Sequence, residues 1–459
     1  MSDDHFFSPQ PNVPGKGIVA SYRAGFWILV VAIGVIAGLG GALLMVLLRT
    51  VEHLAWSYRS GTFLDGVQGV SGLHRVVVLA AAGVIAGVGV VALGRLRAGR
   101  AEVSSAVWQD DGRMALAPSV GRGVLSIVVV GLGASVGREA APQLTAAAAA
   151  SWLCERAGVP HWQRRLLVAC GAGAGMAAVY NIPLGGALFA LEVLLGTITL
   201  PLVLPALLAT TIATAVAWIA LPDTSLYAIP TYAVSASQIV WAVVLGPLAG
   251  LAAVAWVRLI AFVNGLRPGR RTRAIAPLVM LIALGALSIA YPQLLGNGKN
   301  TVQLAITGGL GVSLLVALVV LKPVVTAGCL GSGVPGGLFT PTLAYGALFG
   351  GLLGHAWSVV WPGSPSGSYA LIGGGAVLAA AMQGPLAAIV MIVELAHHSQ
   401  TLMVPLLVAG TGATVVARKL GAPSIYSARM RERPKRRSDG VAVESPALPQ
   451  LALRRQPDR

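Results

Sequence analysis

The chain has 459 residues, of which 56% are hydrophobic and only 10% charged, whereas a soluble globular protein carries roughly a quarter charged residues. The net charge of +16 would suggest a nucleic-acid ligand in a soluble protein. Here the cations gather in short loops between apolar runs, so composition excludes a soluble fold and charge placement argues against nucleic acid.

The polar start, residues 1–23, holds Asp3, Asp4 and three prolines and reads as a cytoplasmic N-terminal segment. No cleavable signal peptide is expected, because the first apolar run is long enough to stay as a helix. That run, 24–48, is followed by charge-free stretches at 166–191, 193–222, 224–257, 274–298 and 323–393, the last of 71 residues. Each reaches the ~20 residues a helix needs to cross hydrocarbon. The longest must fold back, so roughly ten to eighteen membrane helices are expected, many of them short or tilted. A β-barrel would show short alternating segments, whereas these runs are continuous and rich in Leu and Ala. Helices then satisfy the backbone in lipid. Small-residue pairs such as Gly34/Gly38, Gly83/Gly87 and Gly346/Gly350 predict close helix packing.

Short basic loops mark the cytoplasmic side, which places Arg95, Arg97 and Arg100 inside, with Arg267, Arg270, Arg271 and Arg273, and Arg418 and Lys419. A last cluster, Arg429, Arg431, Arg433, Lys435, Arg436 and Arg437, opens a basic tail over 429–459 that reads as disordered. The transmembrane domain is therefore expected over 24–428, with halves of about 24–222 and 235–428. Cys154, Cys170 and Cys329 have neither metal-ligand spacing nor a disulfide framework, and no cofactor is expected.

The two halves carry one repeated phrase. Residues 173–192 run from Gly173 through Tyr180-Asn181-Ile182-Pro183-Leu184 to Glu192; residues 375–394 run from Gly375 through Met382-Gln383-Gly384-Pro385-Leu386 to Glu394. The offset is 202 at both ends, and each glutamate follows its proline by nine residues. Upstream of each copy lies a Gly-rich interruption, Gly137-Arg138-Glu139-Ala140-Ala141-Pro142 and Gly336-Gly337-Leu338-Phe339-Thr340-Pro341. Broken hydrophobic segments at matching places in two halves point to a substrate site near the bilayer midplane.

A helix N-terminus offers free N–H groups and about half a positive charge, so converging N-termini make an anion site. Such a site holds an anion without the grip of a buried Lys or Arg, which suits permeation. In the second break, Gly336 and Gly337 let the backbone turn, Pro341 suits a first turn, and a helix over 342–360 follows. The plainer reading is a re-entrant loop. In the first break, Glu139 at membrane depth is costly unless it has a task. A carboxylate there would compete with an anion for the same N–H groups, and a proton would end the competition. The plainer reading is that Arg138 neutralises it, although adjacent residues face apart on a helix.

The two breaks, the Asn/Gln-x-Pro-Leu repeats and Ile425-Tyr426-Ser427 resemble the CLC family of chloride channels and proton/chloride antiporters, over roughly residues 20–428. Ser332 to Pro341 is the strongest single match. The resemblance implies an all-α polytopic membrane protein built as an inverted repeat of two halves, with many short, tilted and re-entrant helices. It implies a homodimer with one pore per subunit. The N–H groups around Gly337, Leu338 and Phe339 would bind chloride, the Tyr426 hydroxyl would donate to the central anion, and Arg138 would flank the site. Glu139 would be the external gate.

Three departures accompany the match. Where the family has an inner serine, this chain has Ala98, which puts anion selectivity in doubt. Pro142 is displaced by one residue from the usual position. Third, the inner acid that passes protons in the antiporters is Val193 here, and Glu192 cannot stand in, since neighbouring helix positions point about 100° apart. The matched Glu394 favours a shared structural role for both glutamates. The expectation is chloride permeation, channel-like or weakly proton-coupled, with an antiporter using another proton route as the alternative. A cation-coupled inverted-repeat transporter would need an acidic cage in both breaks, and fluoride exporters of the family carry an acid where Leu338 stands. No His-Glu-x-x-His motif is present, so an enzyme is not expected. A short tail with no nucleotide-binding module suggests a bacterial inner membrane.

Overall fold

The computed structural model describes residues 22–95, 102–266, 269, 272–396 and 399–430, and the residues from 22 to 429 form one unit. The expected N-terminal segment up to residue 21, most of the loop cations at Arg97, Arg100, Arg267, Arg270 and Arg271, and the tail beyond 430 lie outside the described residues. The first half runs α1 (Ala24–Trp56), α2 (Phe63–Gly69), α3 (Gly72–Arg95), α4 (Val103–Gln109), α5 (Leu116–Gly131), α6 (Ala140–Arg156), α7 (His161–Tyr180), α8 (Pro183–Leu188) and α9 (Leu200–Ala217). The second runs α10 (Ala236–Gly265), α11 (Ala276–Ala290), α12 (Lys299–Ile306), α13 (Val312–Ser332), α14 (Phe339–Val360), α15 (Ser366–Met382), α16 (Pro385–Leu395) and α17 (Met403–Lys419). Six of these, and α17 together with the turn from Ser399 that leads into it, are long and apolar enough to cross a membrane, and several shorter apolar helices accompany them. The chain is a multi-pass, all-α membrane protein.

The halves repeat their packing. α1 lies against α7 and α9 as α10 lies against α15 and α17; α6 packs on α5 and α7 as α14 packs on α13 and α15. Contacts between α3 and α11 and between α8 and α16 join the halves. The small-residue pairs sit in these contacts. Gly34 and Gly38 face α9, Gly83 faces α11 and Gly87 the segment just before it, and Gly346 and Gly350 face Gly373 of α15.

The repeated phrase folds the same way twice. Asn181 ends α7 at φ 57° and Gln383 ends α15 at φ 59°, left-handed caps that stop each helix. A proline then opens the next helix in each half, where its missing N–H costs nothing. Each cap's side-chain oxygen is held by the helix that closes its half. Trp218 Nε1 donates to Asn181 Oδ1 at 3.0 Å, and Arg418 Nε donates to Gln383 Oε1 at 3.1 Å.

The matched glutamates cap each other's halves. Glu192 Oε1 and Oε2 accept from the N–H groups of Leu386 (3.2 Å) and Ala387 (2.6 Å) at the start of α16. Glu394 Oε1 and Oε2 accept from Leu184 (3.0 Å) and Gly185 (2.6 Å) at the start of α8. A carboxylate at a helix N-terminus satisfies orphan donors and meets the positive end of the dipole. Each acid therefore caps a helix of the opposite half. Val193 follows on a π-helical turn, Phe189–Leu195, a register shift that α16 lacks. It is buried, at a point where a side chain on Gly384 would touch it.

Replacing either Glu192 or Glu394 by Gln removes charge-assisted hydrogen bonds across the two halves. Each substitution is expected to cost about 1–3 kcal/mol, read as a lower melting temperature of the detergent-solubilised protein. Unchanged melting in both variants would contradict the capping role.

Candidate functional site

The two Gly-rich breaks meet. Gly137 N–H donates to the Gly337 carbonyl at 2.8 Å, and Gly337 N–H donates to the Gly137 carbonyl at 2.7 Å, a short antiparallel bridge. From that bridge α6 starts at Ala140 and α14 at Phe339, so two helix N-termini converge on one point. Pro142 and Pro341 are each the third residue of their helix. The displaced proline of the first break therefore falls in the same first-turn position as its counterpart, where no N–H is missed.

Glu139 is 2% exposed and reaches across to the second half. Its Oε1 accepts from Phe339 N–H at 2.6 Å, the first donor of α14. Its Oε2 lies 3.2 Å from the Tyr180 hydroxyl and 3.3 Å from the Thr340 hydroxyl, and those two hydroxyls are 2.9 Å apart. The carboxylate thus occupies the end of the α14 dipole, held by neutral donors only. Arg138 does not neutralise it. The Arg138 guanidinium lies over the Tyr180 ring, 5.1 Å from its centroid, and the Arg138 Nε is buried with no hydrogen-bond partner.

The glycines make room for this. A Cβ on Gly137 or on Gly337 would collide with the Glu139 carboxylate. Gly337 N–H is spent in the bridge, so what Gly337 offers the seat is space, and the donor comes from Phe339. Leu338 is the buried residue that precedes α14. At the C-terminal end of the chain, Ile425 N–H is fixed to the Ala381 carbonyl at 2.8 Å. This holds the Tyr426 ring edge-on to Phe189, with centroids 5.5 Å apart, and Tyr426 lies within electrostatic reach of Glu139. Arg429 continues this segment: its Nη1 donates to the Gly336 carbonyl at 3.2 Å, and its Nη2 lies 3.8 Å from Glu102, the residue before α4.

The structure brings together Arg138, Glu139, Gly337, Leu338, Phe339 and, through electrostatic reach, Tyr426. Ala98 lies outside the described residues. Sequence reasoning missed the role of Tyr180 and of the Thr340 hydroxyl, although both stand in the quoted phrases. The available signal was a polar aromatic and a hydroxyl inside otherwise apolar or glycine-rich runs. Among the described residues there is no group of three or more metal-ligating side chains.

The chain is similar to known proteins in sequence and in fold. The sequence profile of the family described as voltage gated chloride channel matches residues 82–418. A voltage-gated ClC-type chloride channel, ClcB, of Escherichia coli is 31% identical over 410 residues, covering 87% of this chain and 97% of its own. A ClcB of Shigella flexneri is 31% identical over 412 residues, covering 86% and 95%. Among solved structures, a slow cyanobacterial chloride/proton antiporter superposes with a TM-score of 0.77 at 21% identity, covering 89% of this chain and 97% of its own. A CLC-type fluoride/proton antiporter superposes with a TM-score of 0.71 at 19% identity, covering 88% and 97%. At these identities the structures establish the shared fold.

Gly337→Ala keeps the backbone bridge but fills the space beside Glu139. An experimental structure of that variant is expected to place the carboxylate away from Phe339 N–H. A carboxylate still bonded there would contradict the seat as described.

Proposed function

Because the chain belongs to the voltage gated chloride channel family, we propose that it passes chloride or a similar monovalent anion across the membrane, with Glu139 as its gate. The observation that carries the reading is the seat itself. A carboxylate that accepts the first N–H of α14 occupies a place built for an anion, since helix N-termini favour negative charge. Chloride presents the same charge to the same donors, so the two exclude each other. Protonating Glu139 removes its charge and most of its hold on the N–H. Acid then favours the anion in the seat, and neutral pH favours the carboxylate.

Coupling to protons is weak or absent on this reading. Glu192 is engaged as a cap on α16, and Val193 carries no proton. The alternative, an antiporter, needs a proton route that avoids both positions. Tyr426 is assigned as a donor to an anion deeper in the path, and Arg138 as the cation that flanks its outer end. Ala98 supplies no hydroxyl to an inner seat, which relaxes discrimination among chloride, nitrate and bromide. Chloride, and protons at the gate, are the mobile partners; no cofactor enters the scheme. We assign the protein to a bacterial inner membrane as a homodimer. The dimer face fits the exposed apolar residues Leu184, Leu200, Leu386 and Val404 on the matched elements α8, α9, α16 and α17.

Two measurements in reconstituted vesicles test this. Glu139→Gln is expected to leave anion flux high and abolish its pH dependence; a pH profile like that of the wild type would remove Glu139 from the gate. Reversal potentials under combined chloride and pH gradients are expected to follow chloride alone. Robust uphill chloride movement driven by a proton gradient would establish coupling and favour the antiporter.

A further inference from the structure

We propose that the hydroxyls of Tyr180 and Thr340 are side-chain ligands of the permeating anion, forming with Phe339 N–H an outer seat. The proposal rests on the gating reading above and deepens it by naming what holds the anion once Glu139 leaves.

Three observations carry it. Both hydroxyls already ligate an anion, since Tyr180 and Thr340 lie 3.2 Å and 3.3 Å from Glu139 Oε2. Both side chains are buried and held from opposite halves, Tyr180 as the last residue of α7 and Thr340 on the first turn of α14. Packing fixes the Tyr180 ring, which meets Phe339 at 5.7 Å between centroids and has the Arg138 guanidinium over it.

Hydrogen counting supports a ligand role over a simple tie between α7 and α14. Each hydroxyl carries one hydrogen, yet the two make three contacts, one with each other and one each with Oε2. At any moment one contact lacks a proton. When the carboxylate leaves, an anion in its place inherits at least one hydroxyl hydrogen, and both if the mutual bond opens. Hydroxyl rotation lets the pair follow either occupant without moving the backbone. Two further donors stand unspent in the same cluster. The Tyr227 hydroxyl and the Arg138 Nε are buried without partners, and Tyr227 lies within range of the charges on Arg138 and Glu139. An acceptor that enters here meets a surplus of donors, which favours an anion over a cation or a neutral solute.

The groups facing Glu139 are Tyr180 on α7, Tyr227 ahead of α10, Tyr426 after α17 and Arg138 in its own break. Beyond Arg138 stand Glu52 of α1 and Lys299 of α12. Removing a hydroxyl weakens the seated carboxylate and the seated anion alike. The gate background is therefore removed first, so that the anion is read alone.

The test measures chloride affinity by calorimetry in Glu139→Ala, then in that background with Tyr180→Phe, Thr340→Val or Thr340→Ser. Tyr180→Phe keeps the ring packing, and Thr340→Ser keeps the hydroxyl. A lost hydrogen bond to a charged group corresponds to roughly a tenfold change in dissociation constant. Tyr180→Phe and Thr340→Val are each expected to weaken chloride binding by about that factor, with Thr340→Ser restoring it. Affinities unchanged within about twofold in both would overturn the proposal. The gating reading is judged separately, by whether Glu139→Ala alone abolishes the pH dependence of flux. Should that dependence persist, the gate assignment falls, while the affinity comparison still decides the role of the hydroxyls.

Discussion

A chain segment that leaves helical geometry at membrane depth strands N–H and C=O groups where hydrocarbon offers them no partner. In this chain the Gly-rich break of each half is satisfied by that of the other through the paired hydrogen bonds of Gly137 and Gly337. Everything at the site follows from that bridge. It sets the starts of α6 and α14 side by side, and it fixes Glu139 opposite the first free N–H of α14. It also requires glycine at both ends, because a side chain at either would occupy the carboxylate's place. The bridge is thus both the cure for two broken helices and the frame of the seat.

The hold on Glu139 is strong in geometry and conditional in chemistry. Its partners are an N–H and two hydroxyls, with the nearby guanidinium turned onto the Tyr180 ring instead. A buried carboxylate beside a full cation would be hard to dislodge, since separating such a pair leaves an unpaired charge behind. Neutral donors and a helix dipole can be passed to another anion at little cost. The same economy of charge appears at Glu192 and Glu394, but there each carboxylate takes two N–H groups of the opposite half. Those acids lock the halves together, whereas Glu139 has one N–H and a pair of rotatable hydroxyls.

Much of this was legible in the sequence because it is written twice. The 202-residue offset exposed the repeat and matched Asn181 with Gln383, Pro183 with Pro385 and Glu192 with Glu394, but their capping roles appear only in the structure. Glu139 stood out because an acid in a glycine-rich break at membrane depth demands a reason. Periodicity could not reveal partners. That Glu192 caps α16 while Glu394 caps α8 is a relation across the halves, invisible to any local pattern. Tyr180 escaped notice because an aromatic at the end of an apolar helix ordinarily reads as packing, and only its distance to Glu139 changes that reading. The start of α14 at Phe339, ahead of the 342 expected, follows from Pro341 taking the third helical position instead of preceding the helix.

The central claim is that one N–H, that of Phe339, serves carboxylate and halide in turn. The most direct measurement is an anomalous-scattering map from crystals of the wild-type protein soaked in bromide at acidic pH. The account predicts a bromide peak within hydrogen-bond distance of Phe339 N–H, with the Glu139 side chain displaced from it. Bromide bound elsewhere in the protein, with the carboxylate still on that N–H, would contradict it.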